Sequence, residues 1–188
     1  MFPEIEKILI DELRIANRVD EIGQRITADL RPLMAKAEQG GQELRLTLIP
    51  ILTGSMVFVA DLIRRLPVKL RLELIGVSSY PGKSMESKGV SISHELPKSL
   101  EGQHVLVVDD ILDSGATLDV VTRLIKEQRP ASLRTCVLLR KPGKARVDVK
   151  ADYVGFDIPD EFVVGYGLDY DGFYRNLPSI ATLRAEAL

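Results

Sequence analysis

Apolar residues recur at steps of three and four over Ala16, Val19, Ile22, Ile26, Leu30, Leu33 and Ala37, which draws one stripe along a helix. Asp11 is placed to cap the start of that helix, and Gly40-Gly41 ends it. Leu44 to Leu52 then reads as a buried strand, followed by the turn Thr53-Gly54-Ser55 and a helix over roughly 57–66 that Pro67 breaks. A further strand is predicted over 70–80, with alternation at Leu70, Leu72 and Leu74. From Tyr80 to Gly89 turn formers and charges follow without a period, which predicts a mobile loop. Val105-Leu106-Val107-Val108 is the continuous apolar run of a strand buried on both faces. Leu118, Val121, Leu124 and Ile125 form one helical face, and Leu133 to Leu139 is strand again. Strand alternating with helix predicts an α/β fold whose sheet is mainly parallel.

Composition narrows the class of function. The chain has 188 residues, 45% hydrophobic and 28% charged, which fits one globular domain over 1–188. A net charge of −2 without a basic run argues against nucleic acid as partner. No apolar run is long enough for a bilayer, and the N-terminus lacks a signal-peptide pattern, so the cytoplasm is the expected location and no membrane partner is expected. The lone Cys136 sits in an apolar run and reads as core. His94 and His104 lack the spacing of a metal site and read as structural or exposed.

Candidate chemistry concentrates in Val105 to Leu118, where the apolar strand is expected to end in Asp109-Asp110 and to pass through the polar turn Asp113-Ser114-Gly115-Ala116-Thr117 into a helix. Ligands of open α/β sheets bind beyond the carboxyl ends of strands. The turn's backbone N–H groups, its two hydroxyls and the helix N-terminus form a site for a phosphate monoester. Two carboxylates beside a phosphate are reconciled by a sugar diol that donates to Asp109 and Asp110, with Mg²⁺ relieving the remaining charge. The inferred ligand is a sugar phosphate. The alternatives are a solvated acidic loop and a receiver-type signalling domain, although the latter wants its acidic pair on the first strand.

Asp109 to Leu118 resembles the ribose-phosphate signature of the type I phosphoribosyltransferases. The segment Asp152-Tyr153-Val154-Gly155-Phe156-Asp157-Ile158-Pro159-Asp160-Glu161-Phe162-Val163-Val164-Gly165-Tyr166-Gly167-Leu168-Asp169-Tyr170 resembles the hypoxanthine and hypoxanthine-guanine members. Leu52-Thr53-Gly54-Ser55, Ser79-Tyr80 and Arg140-Lys141-Pro142 extend the likeness over nearly the whole chain. The resemblance implies a mainly parallel sheet flanked by helices, with a small hood from the N- and C-terminal segments.

The resemblance also implies a purine salvage reaction. Phosphoribosyl pyrophosphate would donate its 5-phosphoribosyl group to N9 of hypoxanthine or guanine, giving IMP or GMP and pyrophosphate. Asp109 and Asp110 would hold the ribose hydroxyls, Asp113 to Thr117 the 5′-phosphate, and Asp113 would act as general base. Lys141, Phe162, Val163 and Asp169 would bind the purine. Thr53, Gly54 and Arg175 would bind pyrophosphate, with a cis peptide before Thr53, where Lys or Arg is common in the family. Asp109, Asp110 and Asp169 would carry Mg²⁺, and a lid over about 80–90 would close from Ser79 and Tyr80. A homodimer or homotetramer is implied too. Lys141, having only donors, independently complements the carbonyl of a 6-oxopurine and mismatches the amino group of adenine. Two rival readings are a sensor that keeps the sugar-phosphate pocket without turnover, and a transferase for xanthine or a pyrimidine.

Overall fold

The structure is a computed structural model that describes residues 2–78, 91–92 and 99–187. In chain order its elements are β1 (Ile5–Ile10), α1 (Glu12–Gln39), β2 (Leu46–Leu52), α2 (Met56–Ile63), β3 (Leu70–Leu72), β4 (Ile75–Ser78) and β5 (Ser91–Ile92). They are followed by β6 (His104–Leu112), α3 (Ala116–Glu127), β7 (Ser132–Arg140), β8 (Tyr153–Asp157), β9 (Val163–Val164) and β10 (Ile180–Leu183). A 3₁₀ turn at Ala185–Ala187 follows. Seven strands make one sheet in the order β5-β4-β2-β6-β7-β8, with β3 also beside β2. All of its pairings are parallel except β4 with β5. The remaining β1, β10 and β9 form a small antiparallel sheet, so the two ends of the chain meet in the expected hood.

Strand alternation divides the core in two. Leu48, Leu106, Val108, Cys136 and Leu138 face α1 and α2, while Ile49, Val105, Val107 and Val137 face α3. Both faces of the central strands are therefore dry, which is why their sequences read as continuous apolar runs. Asp11 caps α1 by accepting from the Arg14 N–H at 2.9 Å, and Gly40 closes it. The buried stripe of α1 runs through Ile15, Val19, Ile22, Ile26 and Leu30, with Ile15 rather than Ala16 at its start.

Three sequence expectations change. The strand after residue 70 is broken at Glu73-Leu74, and Leu72 and Leu74 are 43% and 53% exposed, so their alternation marks a surface rather than a core face. The strand opening the phosphate motif does not end at Asp109-Asp110 but runs on to Leu112. The reason is one-sided pairing: β7 accompanies β6 through Leu112↔Arg140, whereas β2 leaves it after Pro50↔Val108. Finally, β1 falls in a stretch to which the periodicity assigned no element. Its only buried residues are Ile5 and Ile10, with charged residues between, so no two-residue period shows.

The chain also reverses its winding between β2 and β6. From β2 it crosses over α2 towards β4; from β6 it crosses over α3, on the opposite face, towards β7. The carboxyl ends of β2 and β6 consequently part and open a crevice, the usual ligand position in such sheets.

Candidate active site

A cleft of about 230 Å³ occupies that crevice. It is lined by Ile51 and Leu52 of β2, by Gly54 in the turn after it, and from the β6–α3 segment by Asp109 to Gly115, Thr117 and Leu118. Gly115 stands at φ +82° at the N-terminus of α3, and a Cβ there would lie 2.6 Å from Val149 Cγ1. Only glycine meets both demands, so the turn can bring its backbone close to a ligand. Arg146 N–H donates to the Ser114 carbonyl at 2.9 Å and ties the 145–149 segment behind the turn.

The acid pair faces the other wall. The Asp110 N–H donates to Asp109 Oδ1 at 3.0 Å, and the Ile111 N–H to Asp110 Oδ1 at 2.8 Å. Burial, and then the charge of Asp110, push the Asp109 carboxyl well above its ordinary range. Burial raises Asp110 as well, against the hydrogen bonds it accepts and the nearby Arg175. A Cβ on Gly54 would lie 1.7 Å from Asp110 Oδ2, so the absence of a side chain at 54 is what lets the β2 loop and the acid pair share the crevice. The Leu52-Thr53 peptide is cis. Thr53 lies in the loop after β2, though it does not line the cleft.

At the rim, Asp113 meets Lys141, whose ammonium is 3.4 Å from Asp113 Oδ2 and 3.2 Å from Asp160 Oδ1. Lys141 is only 6% exposed, so it is not a solvated loop lysine. Lys144 contacts the same two acids, Asp160 Oδ1 at 2.5 Å and Asp113 Oδ1 at 3.2 Å. The latter contact leaves buried Oδ1 without an aligned hydrogen-bond donor. Lys144 and Asp160 were not singled out from the sequence. The usable signal was the Lys141-Pro142-Gly143-Lys144 tetrapeptide, whose Pro-Gly centre specifies a tight turn.

Phe162 is 45% exposed and meets Tyr170 edge-on at 5.5 Å, so it is a presented ring rather than a core one. Val163 follows it, buried in β9. Asp169 pairs with Arg175 at 2.8 Å and accepts from the Gly172 N–H at 2.9 Å, while Arg175 also donates to the Gly167 carbonyl at 2.6 Å. Neither lines the cleft directly; Arg175 reaches it through its charge on Asp110. Ala116 opens α3 beside the lining residues. The expected lid, with Ser79 and Tyr80, and His94 lie outside the described residues. His104 Nδ1 is 2.7 Å from Ser132 Oγ, a structural contact. Cys136 is fully buried and its thiol is pushed up by burial, as a core residue requires.

A parallel sheet with a switch-point crevice, an acid pair and a glycine-locked turn at a helix N-terminus defines a binder of phosphorylated sugars. Residues 18–171 match the family described as the phosphoribosyl transferase domain, and the chain belongs to the phosphoribosyltransferase family. It is 44% identical over 180 residues to a hypoxanthine-guanine phosphoribosyltransferase of Mycobacterium bovis, covering 96% of this chain and 87% of that one. With the enzyme of the same name from Bacillus subtilis it is 39% identical over 181 residues, covering 96% and 94%. Among solved structures it is similar to the Trypanosoma cruzi hypoxanthine phosphoribosyl transferase, at 41% identity and a TM-score of 0.88, covering 100% of this chain and 95% of that one. A variant of that enzyme complexed with the product IMP superposes with a TM-score of 0.86 at 42% identity, covering 100% and 94%. Among the described residues no helix is long and apolar enough to cross a membrane.

Proposed function

We propose that this protein transfers the 5-phosphoribosyl group of phosphoribosyl pyrophosphate to N9 of hypoxanthine or guanine, releasing pyrophosphate and forming IMP or GMP. The observation that carries the reading is the meeting of Asp113 with Lys141 at the rim of the cleft that holds Asp109, Asp110 and the 113–117 turn. The ribose hydroxyls donate to Asp109 and Asp110. The N–H groups of the turn, with the Ser114 and Thr117 hydroxyls, receive the 5′-phosphate. The backbone of Thr53 and Gly54 and the charge of Arg175 hold pyrophosphate, the bond from which to the anomeric carbon breaks as the bond to N9 forms.

On the base side, Lys141 donates to the purine carbonyl, Phe162 stacks on the ring and Val163 offers backbone groups to its edge. Asp113 takes the proton that the purine loses, through a carboxylate whose Oδ1 has the Lys144 ammonium 3.2 Å away but no aligned hydrogen bond. Asp109, buried, and Asp110, half-buried, fit Mg²⁺: they are oxygen ligands and short of positive charge. Among the described residues no three or more His, Cys, Asp or Glu gather at one point, so such an ion would complete its shell from substrate oxygens and water, as Mg²⁺ commonly does. When bound, it neutralises ribose-phosphate and pyrophosphate charge; Asp169 is the further residue proposed to hold it.

The test is nucleotide formation from phosphoribosyl pyrophosphate and Mg²⁺ with hypoxanthine, guanine, xanthine and adenine in turn. Turnover with the first two and not with adenine is expected. Tight binding of phosphoribosyl pyrophosphate without turnover on any base would make the protein a sensor instead.

A further inference from the structure

Lys144 enters none of the steps above, yet it holds both acids that Lys141 touches. The tetrapeptide Lys141-Pro142-Gly143-Lys144 is closed by a Lys144 N–H to Lys141 carbonyl bond of 3.3 Å, with Gly143 at φ +76°. Proline at the second position and a left-handed glycine at the third are the signature of a type II turn. The turn sets two ammonium groups side by side against two carboxylates. Lys141 reaches Asp113 Oδ2 and Asp160 Oδ1 at 3.4 and 3.2 Å, while Lys144 reaches Asp113 Oδ1 and the same Asp160 Oδ1 at 3.2 and 2.5 Å.

This arrangement poses a competition. Lys141 must give a donor to the purine carbonyl, and its side chain is only 7% exposed, so water cannot readily replace a partner it loses. Asp160, 62% exposed, offers that ammonium a charged acceptor stronger than a neutral carbonyl. Lys144 is the nearer partner of Asp160 by 2.5 against 3.2 Å, and its hydrogen bond is the leading cause that pulls the Asp160 carboxyl below its ordinary range. We propose that Lys144 is a positioning residue for purine binding, drawing Asp160 off Lys141 so that the buried ammonium stays available to the carbonyl of the base. The proposal rests on Lys141 reading that carbonyl. Purine affinity is then set by a residue that never touches purine.

Steady-state kinetics on the full-length enzyme test it. Lys144→Ala should raise the KM for hypoxanthine about tenfold, with kcat falling less than KM rises and the KM for phosphoribosyl pyrophosphate unchanged. Lys144→Arg, which keeps the charge and the reach, should stay near the parent value. Adding Asp160→Ala to Lys144→Ala should restore the hypoxanthine KM, because the competing carboxylate is gone. A merely structural role in the turn predicts no such rescue. An unchanged hypoxanthine KM in Lys144→Ala, or a raised one that Asp160→Ala leaves raised, would overturn the proposal. A parent enzyme inactive on every 6-oxopurine would overturn the transferase reading, and this one with it; an active parent whose hypoxanthine KM ignores Lys144 would overturn this one alone.

Discussion

The end of the cleft proposed to take the ribose phosphate is made of backbone and short acids fixed in β6 and the turn into α3, whereas the end proposed to take the base is made of charged side chains reaching from separate segments. At the first, Gly54, Asp110 and Gly115 leave no room for a single added carbon. At the second, Lys141, Lys144, Asp113 and Asp160 hold one another by ion pairs of 2.5 to 3.4 Å, and one partner can yield to another. Under the proposed function, the substrate part common to every reaction would be met by a rigid cradle. The part that distinguishes one base from another would be met by adjustable charge. Substitutions at the cradle should therefore break the enzyme, and substitutions at the network should retune it.

Asp113 sits where the two ends join, and its loss should cost most. Asp113→Asn keeps the shape and removes the proton acceptor, so kcat should fall about 10²- to 10⁴-fold while phosphoribosyl pyrophosphate binds as before. Single-turnover rates decide this, and an unaltered rate would remove Asp113 as the base. Next in size, Gly54→Ala drives a Cβ into Asp110 Oδ2, at 1.7 Å, so the Asp110 carboxylate must turn from its place or the crevice must open. Phosphoribosyl pyrophosphate affinity should drop about 100-fold, since a shift near 1 Å commonly has that effect. Calorimetric titration that found the parent Kd would show the cradle to be softer than its packing implies. Lys141→Ala belongs to the other end. It should raise the hypoxanthine KM about 10- to 100-fold and narrow the gap to adenine, leaving phosphoribosyl pyrophosphate untouched. Should the sugar-phosphate constants move instead, the two ends are not separable.

The same contrast explains what could be read from the sequence. The cradle is nearly contiguous, from Val105 to Leu118, so strand, turn and helix N-terminus declare themselves together. Its pairing partner at Gly54 was placed by resemblance, because the crevice joining the two depends on where β2 leaves β6. The charge network joins positions 113, 141, 144 and 160, drawn from segments without a hydrophobic period, and nothing local says that Lys144 and Asp160 face each other. Phe162 shows the converse. Alone it favours core packing, and only its place just ahead of β9 leaves the ring exposed.

The smallest expected effect has the opposite sign from the rest. In the free protein Asp109 is buried beside a like charge, and its carboxyl lies well above its ordinary range. At a pH below the ordinary carboxylate value both folded and unfolded forms carry the proton, and nothing is lost. As pH rises through that value the unfolded form releases its proton first, so the folded form is progressively disfavoured, and the deficit persists at neutral pH. Asp109→Asn carries no charge at any pH. Its Oδ1 can still accept from the Asp110 N–H, and its amide can donate to the Asp110 carboxylate. The variant should therefore be more stable than the parent at pH 7 by about 1 kcal/mol, with the gain shrinking as pH is lowered toward about 4, while losing affinity for phosphoribosyl pyrophosphate. Thermal melts of both proteins across that range measure it. A variant less stable than its parent at pH 7 would mean that the acid pair is already relieved without ligand, and the argument that its charge awaits a cation would fall.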